Sequence, residues 1–279
     1  MNLSDFVKQS VEALSAIYPL AEARGIVSAL YSSRLGLRSF SHITEPSLEI
    51  SSGIFPTLEN DMRRLLRSEP LQYVLGECEF CSRRFRVNPS VLIPRPETEE
   101  LVALARGMAS PAARILDLCT GSGCIAWSLF FDITKADVTA VDISEDAIAL
   151  ARTQFDGPGP QFVCADVLKA LPLEGPFDLL VSNPPYVMDS QKADMRPNVL
   201  DYEPSLALFV PDSDPLLFYR AIARRAVELG IPAGVVEAND LLCERTAGVF
   251  RDAGYSRVRI IPDISSRPRF VEFRDDGKC

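Results

Sequence analysis

The stretch Ile115-Leu116-Asp117-Leu118-Cys119-Thr120-Gly121-Ser122-Gly123-Cys124-Ile125-Ala126 decides the fold. A short apolar run breaks into a glycine turn and resumes as a helix start from Cys124 to Phe130, the pattern of a strand passed into a helix through a tight loop. The glycines permit positive φ and close approach of a ligand to the main chain, and N–H groups at the helix start favour polar or anionic ligand atoms. Val138-Thr139-Ala140-Val141-Asp142 reads as the next strand, and its carboxylate arrives 19 residues after Gly123. An acid at that strand tip is placed to accept both hydroxyl protons of a ribose. Gln161 to Cys164, followed by Asp166, adds a third strand and a second ligand-facing carboxylate. Phe177 to Val181 is the fourth. Helical patterns over 214–229 and 241–253, the latter stopped by Gly254, flank a fifth strand at Gly234 to Glu237; Val258 to Ile261 and Phe270 to Phe273 close the chain as a terminal pair. Regular alternation of strand and helix predicts an α/β, doubly wound sheet, whose ligands bind beyond the carboxyl ends of its strands.

The fourth strand runs into Val181-Ser182-Asn183-Pro184-Pro185-Tyr186-Val187. The side-chain carbonyl of Asn183 and the main-chain carbonyl of Pro184 can both accept hydrogen bonds from one planar NH2 group, which fixes that group in orientation. Neither proline has an N–H to tie up the loop, and Tyr186 offers a flat face for an amide or a base. Asn-Pro also begins ordinary stiff turns, so the weight of this segment comes from its convergence with Gly121, Asp142 and Asp166 on one sheet edge.

Before the sheet, Val7, Val11 and Leu14 recur at helical spacing between Ser4, a candidate cap, and Pro19. Ala23, Val27 and Leu30 mark a second helix; Leu58, Met62, Leu65 and Leu66 mark another. Residues 1–70 are therefore expected to be a small helical domain that docks a partner. Residues 71–93 hold a β-hairpin linker around Glu79-Phe80-Cys81 and Arg84-Phe85-Arg86-Val87, and 94–279 form the sheet domain. Pro94-Arg95-Pro96-Glu97-Thr98-Glu99-Glu100 reads as a helix start, with proline in the first turn and acids at the positive end. Arg95 suits either a ligand anion or an internal salt bridge.

The formal net charge of -9 argues against a broad nucleic-acid surface. Up to Ile93 basic and acidic residues balance at ten each, so the acidic excess belongs to the sheet domain. No apolar run approaches a membrane span, and Met1 to Ser10 lacks a signal-peptide pattern. Seven scattered cysteines suit reduced thiols and a cytoplasmic location. Cys78 and Cys81 form one C-x-x-C; Cys119, Cys124, Cys164, Cys243 and Cys279 supply no second pair for a zinc ribbon, so no metal is expected. The single histidine, His42, reads as an ordinary residue of the helical domain.

Gly121-Ser122-Gly123-Cys124-Ile125-Ala126 also satisfies the dinucleotide pattern G-x-G-x-x-A. A nicotinamide dehydrogenase explains the first two strands but not Asn183 to Tyr186. Those residues, the turn from Asp117 to Gly123 and Val141-Asp142-Ile143-Ser144 resemble S-adenosylmethionine-dependent methyltransferases of planar nitrogens. Together with Gln72 to Gly76, Pro94 to Leu101, and Tyr202-Glu203-Pro204 followed by Ala207-Leu208, they resemble the HemK/PrmC family, the glutamine N5-methyltransferases of peptide-chain release factors.

The resemblance implies a seven-stranded, mostly parallel class I methyltransferase (Rossmann-like) sheet. It further implies that Cys119, Thr120, Gly121, Ser122, Gly123, Asp142, Asp166, Val167 and Asn183 hold S-adenosyl-L-methionine. Asn183, Pro184, Pro185 and Tyr186 would hold the substrate glutamine, with Asn183, Pro184 and Tyr186 serving the transfer, while the helical domain grips the release factor whose Gly-Gly-Gln loop enters the cleft. Direct nucleic-acid and membrane binding are not expected. Cys119 stands where the family commonly has glycine, which requires its φ not to be strongly positive. Val210 to Asp214 replaces a glycine-rich segment, and Ser265-Ser266-Arg267 lacks a common glycine. Two other readings stay open: an adenine N6-methyltransferase acting on a flipped base, and a nucleotide-sensing interaction module without catalysis.

Overall fold

A computed structural model describes residues 1–277, so Cys279 lies outside the described residues. The chain divides into two compact units, Met1–Glu77 with Arg196–Tyr202, and Cys78–Met195 with the chain from Glu203 onward.

The first unit contains α1 (Leu3–Leu14), α2 (Leu20–Leu35), α3 (Ser41–Thr44), α4 (Phe55–Leu65) and α5 (Leu71–Leu75). Asn2, not Ser4, caps α1: its side-chain oxygen accepts from Asp5 N at 2.8 Å. The cap therefore lies two residues earlier than the sequence pattern suggests. Its buried stripe is Leu3, Phe6, Ser10 and Leu14, with Val7 and Val11 only partly buried. Pro19 caps α2, which buries Ala23, Val27, Leu30 and Tyr31. Leu58, Met62 and Leu65 of α4 join the same cluster, but Leu66 is 40 % exposed because it is the cap residue where the helix ends. Arg34 pairs with the buried Asp61 at 2.7 Å and donates to Val74 O, so this buried carboxylate is matched by a charge. The Tyr31 hydroxyl lies 2.9 Å from His42 Nδ1, placing the single histidine in a structural contact.

A hairpin, β1 (Glu77–Phe80) and β2 (Arg83–Arg86), lies in the second unit from Cys78 onward and is followed by α6 (Pro96–Met108), β3 (Arg114–Leu118), α7 (Cys124–Asp132), β4 (Asp137–Asp142), α8 (Glu145–Arg152), β5 (Gln161–Cys164) and β6 (Leu179–Ser182). Two short strands, β7 (Val187–Met188) and β8 (Phe209–Val210), pair in parallel. Between them lie α9 (Pro197–Leu200), which belongs to the first unit, and α10 (Ser205–Leu208). The chain then forms α11 (Leu217–Glu228), β9 (Ala233–Glu237), α12 (Cys243–Asp252), β10 (Arg257–Pro262) and β11 (Pro268–Arg274).

The seven-stranded sheet has the order β10-β11-β9-β6-β3-β4-β5, parallel except where β11 pairs with its two neighbours. Side chains alternate between two cores. Ile115, Val138, Ala140, Val181 and Val235 meet α6, α7 and α8 on one face. Leu116, Leu118, Leu180, Val236 and Phe273 meet α11 and α12 on the other. Burial of a side chain such as Leu180, fully shielded from water, contributes about 1.5 to 3 kcal/mol. Three boundaries differ from the sequence pattern. β6 begins at Leu179, because Asp178 turns its carboxylate back to Arg114 N at 2.7 Å. α11 begins at Leu217, because Pro215 disfavours helical geometry at Asp214. A 3-10 turn over Asp240–Leu242, capped by Asn239, precedes α12.

Chain order reverses at β3: β4 and β5 lie on one side of it, β6 and β9 on the other. Leu118 and Ser182 are in register, and Ser182 Oγ donates to Leu118 O at 2.6 Å. The glycine turn and Asn183 thus leave the sheet side by side at its switch point, where open parallel sheets bind their ligands.

Candidate active site

Beyond those strand ends lies a cavity of about 310 Å³, formed wholly by the second unit. It is lined by Cys119, Thr120, Gly121, Ser122, Asp142, Asp166, Val167, Asn183 and Pro185 from the sequence-predicted set. Gly123, Pro184 and Tyr186 are placed behind that lining. Gly123 caps α7 at φ +79°, where a Cβ would come within 3.0 Å of Ala151 Cβ. Pro184 is buried, and Tyr186 packs against the core that contains α11 and α12.

One wall is built by the main chain. Thr120 N donates to Val141 O, Gly121 N to Asp142 Oδ2 at 2.8 Å, and Gly123 N to Thr120 O. Asp142 Oδ1 accepts from Ser144 N at 3.0 Å. Each carboxylate oxygen retains a lone pair for a ligand hydroxyl. Burial pushes the Asp142 carboxyl above its usual range, opposed by the N–H groups of Ser144, Gly121 and Ile143. Cys119 adopts φ +61°, contrary to the expectation for a residue with a β-carbon. The hydrogen bonds of the next residues impose the turn, and the left-handed conformation costs roughly 1 to 2 kcal/mol. Ser266 is likewise at φ +61°, held by Asp263, whose oxygens accept from the main chain of Ser265, Ser266 and Arg267. Beneath the turn, Asp117 is fully buried and accepts from the Thr120 hydroxyl at 2.6 Å. Burial raises its pKa to about 7.

A second wall is built by side chains. Asn183 Nδ2 donates to Thr98 Oγ1 at 3.1 Å, and Thr98 Oγ1 donates to Glu237 Oε2 at 2.8 Å. Glu237 Oε1 accepts from the Tyr186 hydroxyl at 2.9 Å. Asn239 Nδ2 holds the same loop through Tyr186 O at 3.2 Å and Gln191 Oε1 at 2.9 Å. Burial pushes the Glu237 carboxyl up; the Thr98 and Tyr186 donations and the Arg269 charge pull it down. Because the amide nitrogen of Asn183 faces Thr98, Oδ1 takes the other side, and no donor among the described residues bonds to it or to Pro184 O.

Arg95, which also lines the cavity, donates to Glu203 Oε1 at 2.6 Å, and Ile93 N donates to Glu203 Oε2 at 3.1 Å. Of the two roles left open for Arg95, the internal salt bridge is formed, pinning the loop that contributes Ser90, Val91, Leu92 and Pro94 to the lining. Among the described residues no cluster of three His, Cys, Asp or Glu side chains could hold a metal ion. Burial pushes the Cys81 thiol up, which disfavours the reactive thiolate.

A family model described as Methyltransferase small domain matches residues 101–200, which span the glycine turn, Asp142 and Asn183. The release factor glutamine methyltransferase of Bacteroides thetaiotaomicron is 42 % identical over 274 residues, covering 96 % of this chain and 98 % of that one. This chain belongs to the release factor glutamine methyltransferase family. A second relative of that name, from Flavobacterium psychrophilum, is 34 % identical and covers 98 % of this chain and 99 % of its own. Among solved structures, the hMettl16 catalytic domain in complex with MAT2A 3'UTR hairpin 6 superposes with a TM-score of 0.53 at 15 % identity, covering 68 % of this chain and 73 % of that one. That likeness concerns the fold alone, a class I methyltransferase sheet. Within this family member, sequence reasoning passed over Thr98, Glu237 and Asn239. Glu237 carried the same signal as Asp142, an acid ending an apolar strand; Thr98 was absorbed into the acidic helix start.

Proposed function

We propose that the chain transfers a methyl group from S-adenosyl-L-methionine to the side-chain amide nitrogen, N5, of the glutamine in the Gly-Gly-Gln motif of class 1 peptide-chain release factors. The observation that carries this reading is the polarity of Asn183: its nitrogen is engaged by Thr98, leaving Oδ1 and, on the next residue, Pro184 O as two acceptors for one planar NH2. The cavity suits the cofactor. Gly121, at φ +54°, leaves the main chain open, since a Cβ there would meet no atom within 4 Å. Asp142 retains acceptors for ribose hydroxyls, and Ile143, Val167, Leu168 and Phe218 offer apolar surface to a base. We assign cofactor binding to Cys119, Thr120, Gly121, Ser122, Gly123, Asp142, Asp166, Val167 and Asn183. Asn183, Pro184, Pro185 and Tyr186 are assigned to the substrate amide, and the helical unit to docking the release factor.

When bound, the cofactor supplies an electrophilic methyl carbon on a sulfonium with a neutral leaving group. An amide nitrogen is a weak nucleophile because its lone pair is delocalised into the carbonyl. The work of the chain is then to hold nitrogen, methyl carbon and sulfur in line, and positioning of this kind contributes on the order of 7 to 11 kcal/mol. The oxygens of Asn183 and Pro184 also favour positive charge gathering on the nitrogen. The proton passes to water after transfer, because Glu237, the carboxylate behind the motif, is buried outside the cavity lining with its oxygens turned to Thr98 and Tyr186. Incubation with methyl-labelled cofactor and purified release factors, followed by peptide mapping, should place the label on the Gly-Gly-Gln glutamine. Label on nucleic acid instead would move the reading to an adenine N6-methyltransferase.

A further inference from the structure

Glu237 is 1 % exposed and does not itself line the cavity; its side chain accepts from Thr98, which does, and from Tyr186, which lies behind the lining. An ionised carboxylate only accepts hydrogen bonds, and the two hydroxyl donors together with the Arg269 charge favour that form of Glu237 against the effect of burial. The Thr98 hydrogen must therefore point at Glu237 Oε2, which leaves Thr98 Oγ1 only lone pairs to present to Asn183. Asn183 can satisfy that acceptor only with its NH2, so its carbonyl oxygen is turned to the other side. The two ends of a carboxamide are nearly the same shape, and packing alone does not choose between them. The direction of this chain of donors does. We infer that Glu237 is the positioning residue of the substrate site: through Thr98 it sets which end of the Asn183 amide faces the substrate, and through the Tyr186 hydroxyl it anchors the same loop.

This inference rests on the reading of Asn183 as the group that accepts from the substrate amide. It separates Glu237 from a residue that merely fills the core, because a neutral isostere of the same volume removes the polarity and keeps the packing. With Gln at 237 a donor can face Thr98 Oγ1, the hydroxyl is free to turn toward Asn183, and the amide of Asn183 loses its preferred orientation. Thr98→Val cuts the relay with little change of shape, whereas Thr98→Ser preserves the hydroxyl.

The test compares E237Q, T98V, T98S and the E237Q/T98V double variant in two assays on the full chain. In the first, asparagine side chains are labelled with nitrogen-15, and the Asn183 NH2 signal, assigned by its disappearance in N183A, is followed by hydrogen exchange. It should be protected in the parent and in T98S, and exchange at least tenfold faster in E237Q and T98V. In the second, transfer to a release factor is measured. E237Q and T98V should each lower kcat at least tenfold with the KM for S-adenosylmethionine within twofold of the parent, and the double variant should fall by less than the product of the two. T98S should retain parent-like turnover. An Asn183 signal equally protected in E237Q and T98V, or multiplicative losses in the double variant, would overturn the relay. If the parent itself methylates no release factor, the functional reading fails, while the exchange assay still judges the relay. If E237Q does not fold, T98V against T98S decides in both assays.

Discussion

The two walls of the cavity hold their polar groups by opposite means. The glycine wall is tied within itself: Thr120, Gly121 and Gly123 donate main-chain N–H groups to Val141, Asp142 and Thr120, and the farthest of these partners is 21 residues away. The Asn183 wall is tied by side chains recruited from distant elements. Asn183 reaches Thr98 across 85 residues, Thr98 reaches Glu237 across 139, and Tyr186 reaches Glu237 across 51. A wall made mostly of main chain, with the Asp142 carboxylate as a side-chain tie, shapes binding. A wall made of single side chains concentrates orientation in a few atoms, so its variants should lose turnover more than affinity or stability.

The largest effect should therefore fall on the side-chain wall. Asn183→Ala removes the amide acceptor and should lower kcat about 10³-fold, with cofactor affinity reduced only modestly, as calorimetry and single-turnover transfer would measure. Parent-like turnover would break the contrast.

Next in size is a stability effect beneath the glycine wall. Asp117 titrates near 3.8 when unfolded and at about 7 when folded, because burial disfavours its charge. The folded state thus binds the proton more tightly, and its contribution to stability is fully present below the unfolded value and lost as pH rises through the folded one. Urea unfolding should show stability falling between about pH 4 and 7 by a few kcal/mol on this account. Asp117→Asn should flatten that slope while leaving the Asn183 exchange signal unmoved. A slope unchanged in the variant would remove Asp117 as its source.

Asp142→Ala should weaken S-adenosylmethionine by about 10- to 100-fold, the loss expected for charged hydrogen bonds to a ligand. It should change kcat at saturating cofactor much less than Asn183→Ala does. The smallest effect concerns the turn itself. Cys119→Gly relieves a left-handed β-carbon and should raise stability by up to about 1 kcal/mol, the gain being partly offset by the greater freedom of glycine in the unfolded chain. A loss of stability would mean that the Cys119 side chain contributes packing worth more than the strain it carries.

Legibility followed the same division. The strands at Arg114–Leu118, Asp137–Asp142 and Gln161–Cys164, the turn between the first two, and the motif at Asn183 were all visible as local patterns. So were Pro96 at the first position of its helix and the acids after it. In the helical unit, errors arose where residues close in sequence competed for one local role or a helix stopped short. Asn2 took the cap that suited Ser4, Phe6 took the core position that Val7 suggested, and Leu66 fell just past the end of its helix. Apolar spacing names a face but not which of two adjacent side chains ends up in its middle.

Composition, the period of the apolar residues and the placing of glycines, prolines and strand-end acids determined the doubly wound sheet and located its ligand edge, because each depends on steric and solvation preferences acting within a few residues. The folded chain alone decided the direction of the Asn183 amide, the left-handed Cys119 and the service of Thr98 and Glu237. A hydrogen-bond chain has a direction only once its members are within about 3 Å of one another, and that proximity is set by packing of β6 and β9 against α6, not by any spacing along the sequence.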